Sequence, residues 1–206
     1  MFDHRCPLCS EPLAPTTIRE DAAVDPRNVY AATKLHQEHL AAAWSRETSN
    51  PATLLRYHNV YGPRMPCDTP YAGVMSIFAS ALASGRRPRV FEDGLQRRDF
   101  VHVSDVAAAN VAALSAPEPY RGALNIASGR PCTLLEAAGI LASAHLDRTG
   151  EDLAPEVVGG YRIGDVRHVT AEARLAAEHL GFRARIGPAE GLATFAGARL
   201  REPPGA

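Results

Sequence analysis

The stretch Thr53-Leu54-Leu55-Arg56-Tyr57-His58-Asn59-Val60 most limits what this chain can fold into. Its apolar start is continuous rather than alternating, as in a strand covered on both faces, and that is the habit of parallel sheets. Tyr61-Gly62-Pro63-Arg64 then supplies a turn. The polar residues Tyr57, His58 and Asn59 therefore fall at the carboxyl end of a buried strand, where open α/β sheets bind ligands. A turn whose asparagine satisfies local backbone would look the same, so this stretch leaves both readings open.

The segments around it alternate in type. Asp25-Pro26 has the chemistry of a helix start, and a helix is expected from there to about residue 47, ending before Asn50-Pro51. Val29, Ala32, His36, Leu40, Ala43 and Trp44 form its expected packing face. A further helix is expected over 71–84, with Gly85 as its stop, then short strands at Pro88–Phe91 and Arg97–Val103. Ser104-Asp105 opens a helix to about Leu114, and Ala123–Ala127 reads as a strand. Thr133-Leu134-Leu135-Glu136 is a capping box that opens a helix to about His145. Residues 162–168 read as an exposed charged loop, Thr170 as the cap of a helix ending at Leu180-Gly181, and a last helix starts near Pro188. Strands alternating with helices make the class α/β.

Within the first helix, Tyr30 and Lys34 stand four residues apart and share a face. An ammonium beside a phenol favours the phenolate, which can take a proton from a sugar or alcohol hydroxyl. Taken alone, the pair more often marks an amphipathic helix with a packed tyrosine and a solvated lysine paired with Glu38. Arg97-Arg98 beside a strand suits bidentate phosphate binding, although a solvated basic turn is the usual case for a pair of arginines.

A chain of 206 residues holds one domain or two small ones, and is long enough for a real core. Its net charge of -1 and short, isolated basic clusters give no footprint for nucleic acid or an anionic membrane. No apolar run approaches a membrane span, and Met1–Arg5 carries no apolar signal region, so a cytoplasmic protein is expected. Four scattered cysteines do not form a disulfide framework. Cys6-Pro7-Leu8-Cys9 has the spacing of half a zinc ribbon, but no second pair follows. No metal site is expected, and Cys6 and Cys9 remain a half-site at most, its other half lying upstream of Met1.

Five ordered motifs together resemble a known family. They are Tyr30-x-x-x-Lys34, Leu55–Pro63, Phe91–Gly94 with Arg98–Val106, Leu124–Gly129, and Gly164–His168. The chain resembles the extended short-chain dehydrogenase/reductases, specifically the NAD-dependent nucleotide-sugar epimerases and dehydratases. Within them it looks closest to epimerases of dTDP-linked 6-deoxysugars, which carry a cysteine-containing insertion before the Tyr-x-x-x-Lys helix.

The resemblance implies roles residue by residue. Tyr30 would be the acid/base, and Lys34 would bind the nicotinamide ribose of NAD and favour the phenolate. Tyr57 and His58 would lie against the nicotinamide, and Asn59 would bind the sugar-nucleotide phosphate. Val90 and Phe91 would flank the base, Arg98 and Arg162 would clamp the diphosphate, and Asp165 would sit near the ribose. The partner implied is a nucleotide-diphosphate sugar, epimerised at C4 through a transient keto intermediate. The family often forms homodimers through the Tyr-x-x-x-Lys helix and its neighbour. A dehydratase or reductase on the same scaffold, or a non-catalytic sugar-nucleotide binding module, are the competing expectations.

No G-x-G-x-x-G or G-x-x-G-x-x-G turn for a pyrophosphate occurs in the chain. The expectation is therefore the C-terminal part of a doubly wound, extended Rossmann-type fold without its glycine-rich half. Residues 1–24 would be an insertion remnant, 25–64 the remainder of the Rossmann domain, and 65–206 mostly the substrate domain, with 98–115 returning to the Rossmann domain. Such a chain would be an inactive fragment with an unpaired, apolar strand edge.

Overall fold

A computed structural model describes residues 3–67, 73–161 and 165–201. The expected parallel strand exists, but it is divided. β1 (Thr53–Tyr57) pairs in parallel with β6 (Gly122–Ile126), and β2 (Asn59–Tyr61) pairs in parallel with β5 (Phe100–His102). The change of partner occurs at His58, whose N–H donates to Ile126 O at 3.0 Å, while Asn59 N–H donates to Asp99 O at 3.0 Å. A continuous apolar run does not encode this division, because both halves are paired in parallel.

The buried carboxylate of Asp99 locks the junction. It accepts the N–H groups of Ser128 at 2.6 Å and Gly129 at 2.9 Å, just beyond β6. Asp105 does the same for Arg185 and Ile186, both at 3.1 Å. It lies in the first turn of α3 (Val103–Ser115), where a negative charge also suits the helix dipole. The cap of α3 is His102 rather than Ser104, because the His102 ring nitrogen accepts Ser104 N–H at 3.2 Å.

Two hydrophobic cores result. One joins Tyr61 and Phe100 to α2 (Val74–Ala83), β3 (Arg89–Val90), α4 (Leu134–Thr149) and α6 (Pro188–Phe195). The other gathers Val101, Val106, Ala109, Leu124, Ile126, Phe182 and Ala176 of α5 (Arg174–Leu180). β3 pairs in parallel with β8 (Glu156–Val157), and β4 (Arg97–Arg98) runs antiparallel to β7 (Cys132–Thr133). The capping box at Thr133 and Glu136 is formed in both directions, and Gly150, at a φ of +79°, stops α4 four residues later than expected. Thr170 is not a helix cap. Its hydroxyl donates to Thr16 O, and α5 starts only at Arg174.

The helix α1 (Val29–Thr48) corrects two expectations. Its N-cap is Asn28, whose side chain accepts Ala31 N–H at 2.9 Å, so Asp25-Pro26 precedes the helix. Its expected packing face points outward: Val29 is 81% exposed, Leu40 57% and Trp44 50%. The inward face carries Ala31, Leu35, Glu38, Ala42 and Ser45. Polar contacts hold it there. Arg56 of β1 forks onto Glu38 with bonds of 2.8 and 2.7 Å, and Arg121 reaches Ser45 at 3.3 Å and Ser49 O at 3.0 Å. Periodicity cannot tell which of two small or apolar stripes is buried when the buried one is sealed by an arginine fork.

Candidate active site

α1 and β1 enclose an open groove of about 760 Å³. Its walls bring together Tyr30, Lys34, Tyr57 and His58, all four residues expected at the nicotinamide end. Tyr30 is two-thirds exposed, with the Lys34 ammonium 5.4 Å from its ring centroid. Glu38 is engaged with Arg56, so it does not serve Lys34 as the amphipathic-helix reading supposed. The Tyr57 hydroxyl donates to Asn110 Oδ1 at 2.8 Å. Burial pushes the His58 imidazole below its ordinary pKa, so the ring is neutral near pH 7. Its Nδ1 is buried without a hydrogen-bond partner.

Among the described residues β1 pairs only with β6, and the groove runs along β1 from Thr53 to His58. A nicotinamide and its ribose suit a groove lined by a phenol, an ammonium and a neutral imidazole. No glycine-rich turn for the pyrophosphate end of such a cofactor occurs in this sequence.

Asn59 opens into a second cavity of about 210 Å³, together with Phe91, Arg98 and Asp165. Four of the six residues expected to hold a nucleotide sugar thus meet in one place. Val90 is not on its wall; it is fully buried in the first core behind Phe91. Arg162 lies outside the described residues. Val74, Ile77, Phe78 and Leu134 give the cavity an apolar floor, and Arg89 and Gln96 stand at its wall. Sequence reading assigned none of these six to a site. Arg89 and Gln96 flank the expected residues in short strands and turns with no periodicity to single them out.

Arg98 is the most constrained charge in this cavity. Its guanidinium donates to Arg97 O at 2.9 Å, Arg167 O at 2.7 Å and Val166 O at 2.6 Å. Its contact with Asp165 is long, 3.4 Å, and that carboxylate is half-exposed. Burial lowers the pKa of Arg98, and the carboxylates of Asp165 and Glu92, both on the cavity wall, work against that shift.

Behind Arg98, the buried Arg167 gathers three carboxylates: Asp3 at 2.5 Å, Glu92 at 2.5 Å and Asp93 at 2.9 Å. Hydrogen bonds from Arg167 hold the carboxyls of Asp3 and Asp93 below the usual carboxylate range. The N-terminal segment is therefore strapped to the cavity wall. It continues along residues 170–172, where Ile18 N–H donates to Thr170 O at 3.0 Å and Glu172 N–H donates to Ile18 O at 3.0 Å. No sequence signal marked Asp3 for this role, because its partner lies 164 residues away.

Comparison with known proteins gives this geometry a family. The NAD dependent epimerase/dehydratase family matches residues 10–127. The chain belongs to that family. It is 37% identical over 158 residues to dTDP-L-rhamnose 4-epimerase of Burkholderia thailandensis, covering 77% of this chain and 42% of that protein. Among solved structures, MoeE5 in complex with UDP-glucuronic acid and NAD is similar with a TM-score of 0.75 and 36% identity, over 89% of this chain and 59% of that one. UDP-glucose 4-epimerase of Thermotoga maritima with UDP-glucose follows at TM-score 0.76 and 31% identity, over 90% of this chain and 58% of that one. This epimerase-family chain thus spans roughly half the length of the relatives it matches. Its α/β architecture is that of the Rossmann-type epimerase structures, and no helix among the described residues is long and apolar enough to cross a membrane.

Proposed function

We propose that this chain carries the acid/base pair and the sugar-nucleotide cavity of an NAD-dependent epimerase. Its substrate is a nucleotide-diphosphate sugar, a dTDP-linked 6-deoxysugar inverted at C4. One observation supports this above the others: adjacent residues, His58 and Asn59, open into two different cavities, one holding Tyr30 and Lys34 and the other Arg98. A substrate anchored by its diphosphate at Arg98 places its sugar toward the phenol at the mouth of the groove.

Tyr30 takes the proton of the reacting hydroxyl and returns it after the sugar has turned. Lys34, next to it, would stabilise the phenolate and hold the nicotinamide ribose. His58, neutral and half-buried, would lie against the nicotinamide without adding a competing charge. Asn59 and Arg98 fix the phosphates, so the sugar can rotate while its anchor stays put. NAD, when bound, supplies the hydride acceptor and donor. Without a glycine-rich turn in the sequence, the chain by itself does not hold NAD tightly or turn over.

Isothermal titration separates these statements. The purified chain is expected to bind dTDP, and Arg98→Lys, which keeps the charge but not the fork, to weaken it about tenfold or more. Micromolar binding of NAD by the isolated chain would overturn the statement about the cofactor. Failure of dTDP and UDP alike to bind would overturn the cavity assignment. Fused to the N-terminal half of the Burkholderia relative, the chain is expected to epimerise a dTDP-6-deoxysugar. Tyr30→Phe in that fusion should lower kcat by about a hundred- to ten-thousand-fold while leaving dTDP affinity unchanged.

A further inference from the structure

From Asp165 to Val169 the one buried side chain is charged. Arg167 is 7% exposed, and the other four residues are half-buried or exposed. Neither Val166 nor Val169 joins a hydrophobic core. Yet this segment supplies the acceptors that orient Arg98. The Arg98 guanidinium donates to the carbonyls of Val166 and Arg167, and its backbone bridges in parallel to Val169. Asp99 N–H donates to Val169 O at 3.2 Å, and Val169 N–H donates to Arg97 O at 2.9 Å.

The side chain of Arg167 anchors the segment. It reaches the turn after β3, where it takes Asp93 with bonds of 3.1 and 2.9 Å and Glu92 with one of 2.5 Å, while its Nε donates to Asp3 at 2.5 Å. A planar fork shared among three acceptors has little freedom to turn, so the carbonyls on either side of it are held in place. Glu92 gives the same bond a second consequence. It stands on the cavity wall with Arg98, at a φ of +54° that side chains rarely adopt. Its N–H is tied to Gly160 O at 3.0 Å. A free carboxylate at that place would repel a diphosphate, and the Arg167 guanidinium offsets its charge.

We propose, resting on the sugar-nucleotide reading of this cavity, that Arg167 is a positioning residue for the diphosphate. It aims the carbonyls that orient Arg98, and it offsets the charge of Glu92 on the wall. Arg167 does not itself line the cavity. Its effect therefore passes through Arg98 and Glu92, falls on the phosphates of the ligand, and spares the nucleoside.

Titration with dTDP and with thymidine, the latter followed by NMR, separates positioning from general support. Arg167→Lys keeps the charge but cannot hold three carboxylates. It is expected to weaken dTDP binding about tenfold and to leave thymidine binding nearly unchanged. Arg167→Met also removes the charge, so it should weaken dTDP further, and Glu92→Gln added to it should return part of the loss. Asp93→Asn loosens the anchor without altering the cavity wall. It should give a smaller loss, again selective for dTDP, and it carries the test if the Arg167 variants do not fold. Equal losses for dTDP and thymidine in the folded variants would overturn the proposal, since they would reduce Arg167 to a structural role. So would dTDP affinity unchanged by Asp93→Asn and Arg167→Lys. A wild-type chain that binds neither dTDP nor UDP would overturn the nucleotide reading of the cavity itself, and this role with it.

Discussion

Tyr61 shows how little slack the molecule leaves at single positions. Its ring is 1% exposed and edges against Phe100, His102 and Phe195, with centroids 6.4, 5.4 and 5.9 Å away. Its buried hydroxyl has no hydrogen-bond partner, and burial pushes the phenol pKa up. That hydroxyl lies where α6 comes closest, and a Cβ on Gly191 would sit 1.9 Å from it. Gly191→Ala is expected to cost about 1–3 kcal/mol through overpacking. Tyr61→Phe should be neutral or stabilising, since it removes an unsatisfied buried group. In the double variant part of the Gly191→Ala loss should return, because the oxygen in the way is gone. Urea denaturation midpoints of the three variants measure this, and additive losses would show that the clash lies elsewhere.

At the scale of elements, α1 combines the proposed acid/base pair with an unusual surface. Tyr30 and Lys34 face the groove while Val29, Leu40 and Trp44 form an apolar stripe toward solvent. We propose that a second copy of the chain packs through this stripe. Leu40→Glu with Trp44→Glu is then expected to convert a self-associating chain to a monomer in sedimentation velocity, with little change in thermal midpoint. A wild-type chain that is monomeric at every concentration would remove this role for the stripe. The same helix shows the reach of sequence patterns. The spacing of Tyr30 and Lys34 was readable because a helix places i and i+4 together wherever it docks. The docked face was not, because the Glu38–Arg56 fork joins residues 18 apart.

For the molecule as a whole, pH should act through groups whose pKa values folding depresses. His58 is held below 6.5 by burial, so its contribution is complete above that pH and is lost as pH falls toward its folded value. Asp93 is held below 3.8 by Arg167, so its contribution is complete above 3.8 and is lost as pH falls through its folded value. Asp3 shifts in the same direction but is half-exposed, and solvent screening leaves it a small share. Stability is therefore expected to decline in two stages on acidification, first below about pH 6.5 and again in the carboxylate range. His58→Phe should shrink the first stage, leaving the share of His168, which burial also holds below its ordinary value, and Asp93→Asn should shrink the second, to which Glu136 also contributes. A urea midpoint that stays flat from pH 7 to pH 4 in the wild type would contradict the assignment to His58.

What the sequence determined by itself is local or periodic in origin. The α/β class, the Tyr30–Lys34 spacing, the Thr133–Glu136 capping box and the proline start of α6 follow from neighbours within a few residues, and those interactions survive any tertiary context. The gathering of Asn59, Phe91, Arg98 and Asp165 was accessible only through ordered motifs, since nothing in their spacing along the chain brings them together. Tertiary structure alone decided the break at His58, the outward turn of the apolar stripe on α1, and the strapping of Asp3 to Arg167. Each of these depends on polar groups far apart in sequence finding one another in a desolvated place. There an unpaired charge or amide is costly, and the fold is chosen by which distant partner satisfies it.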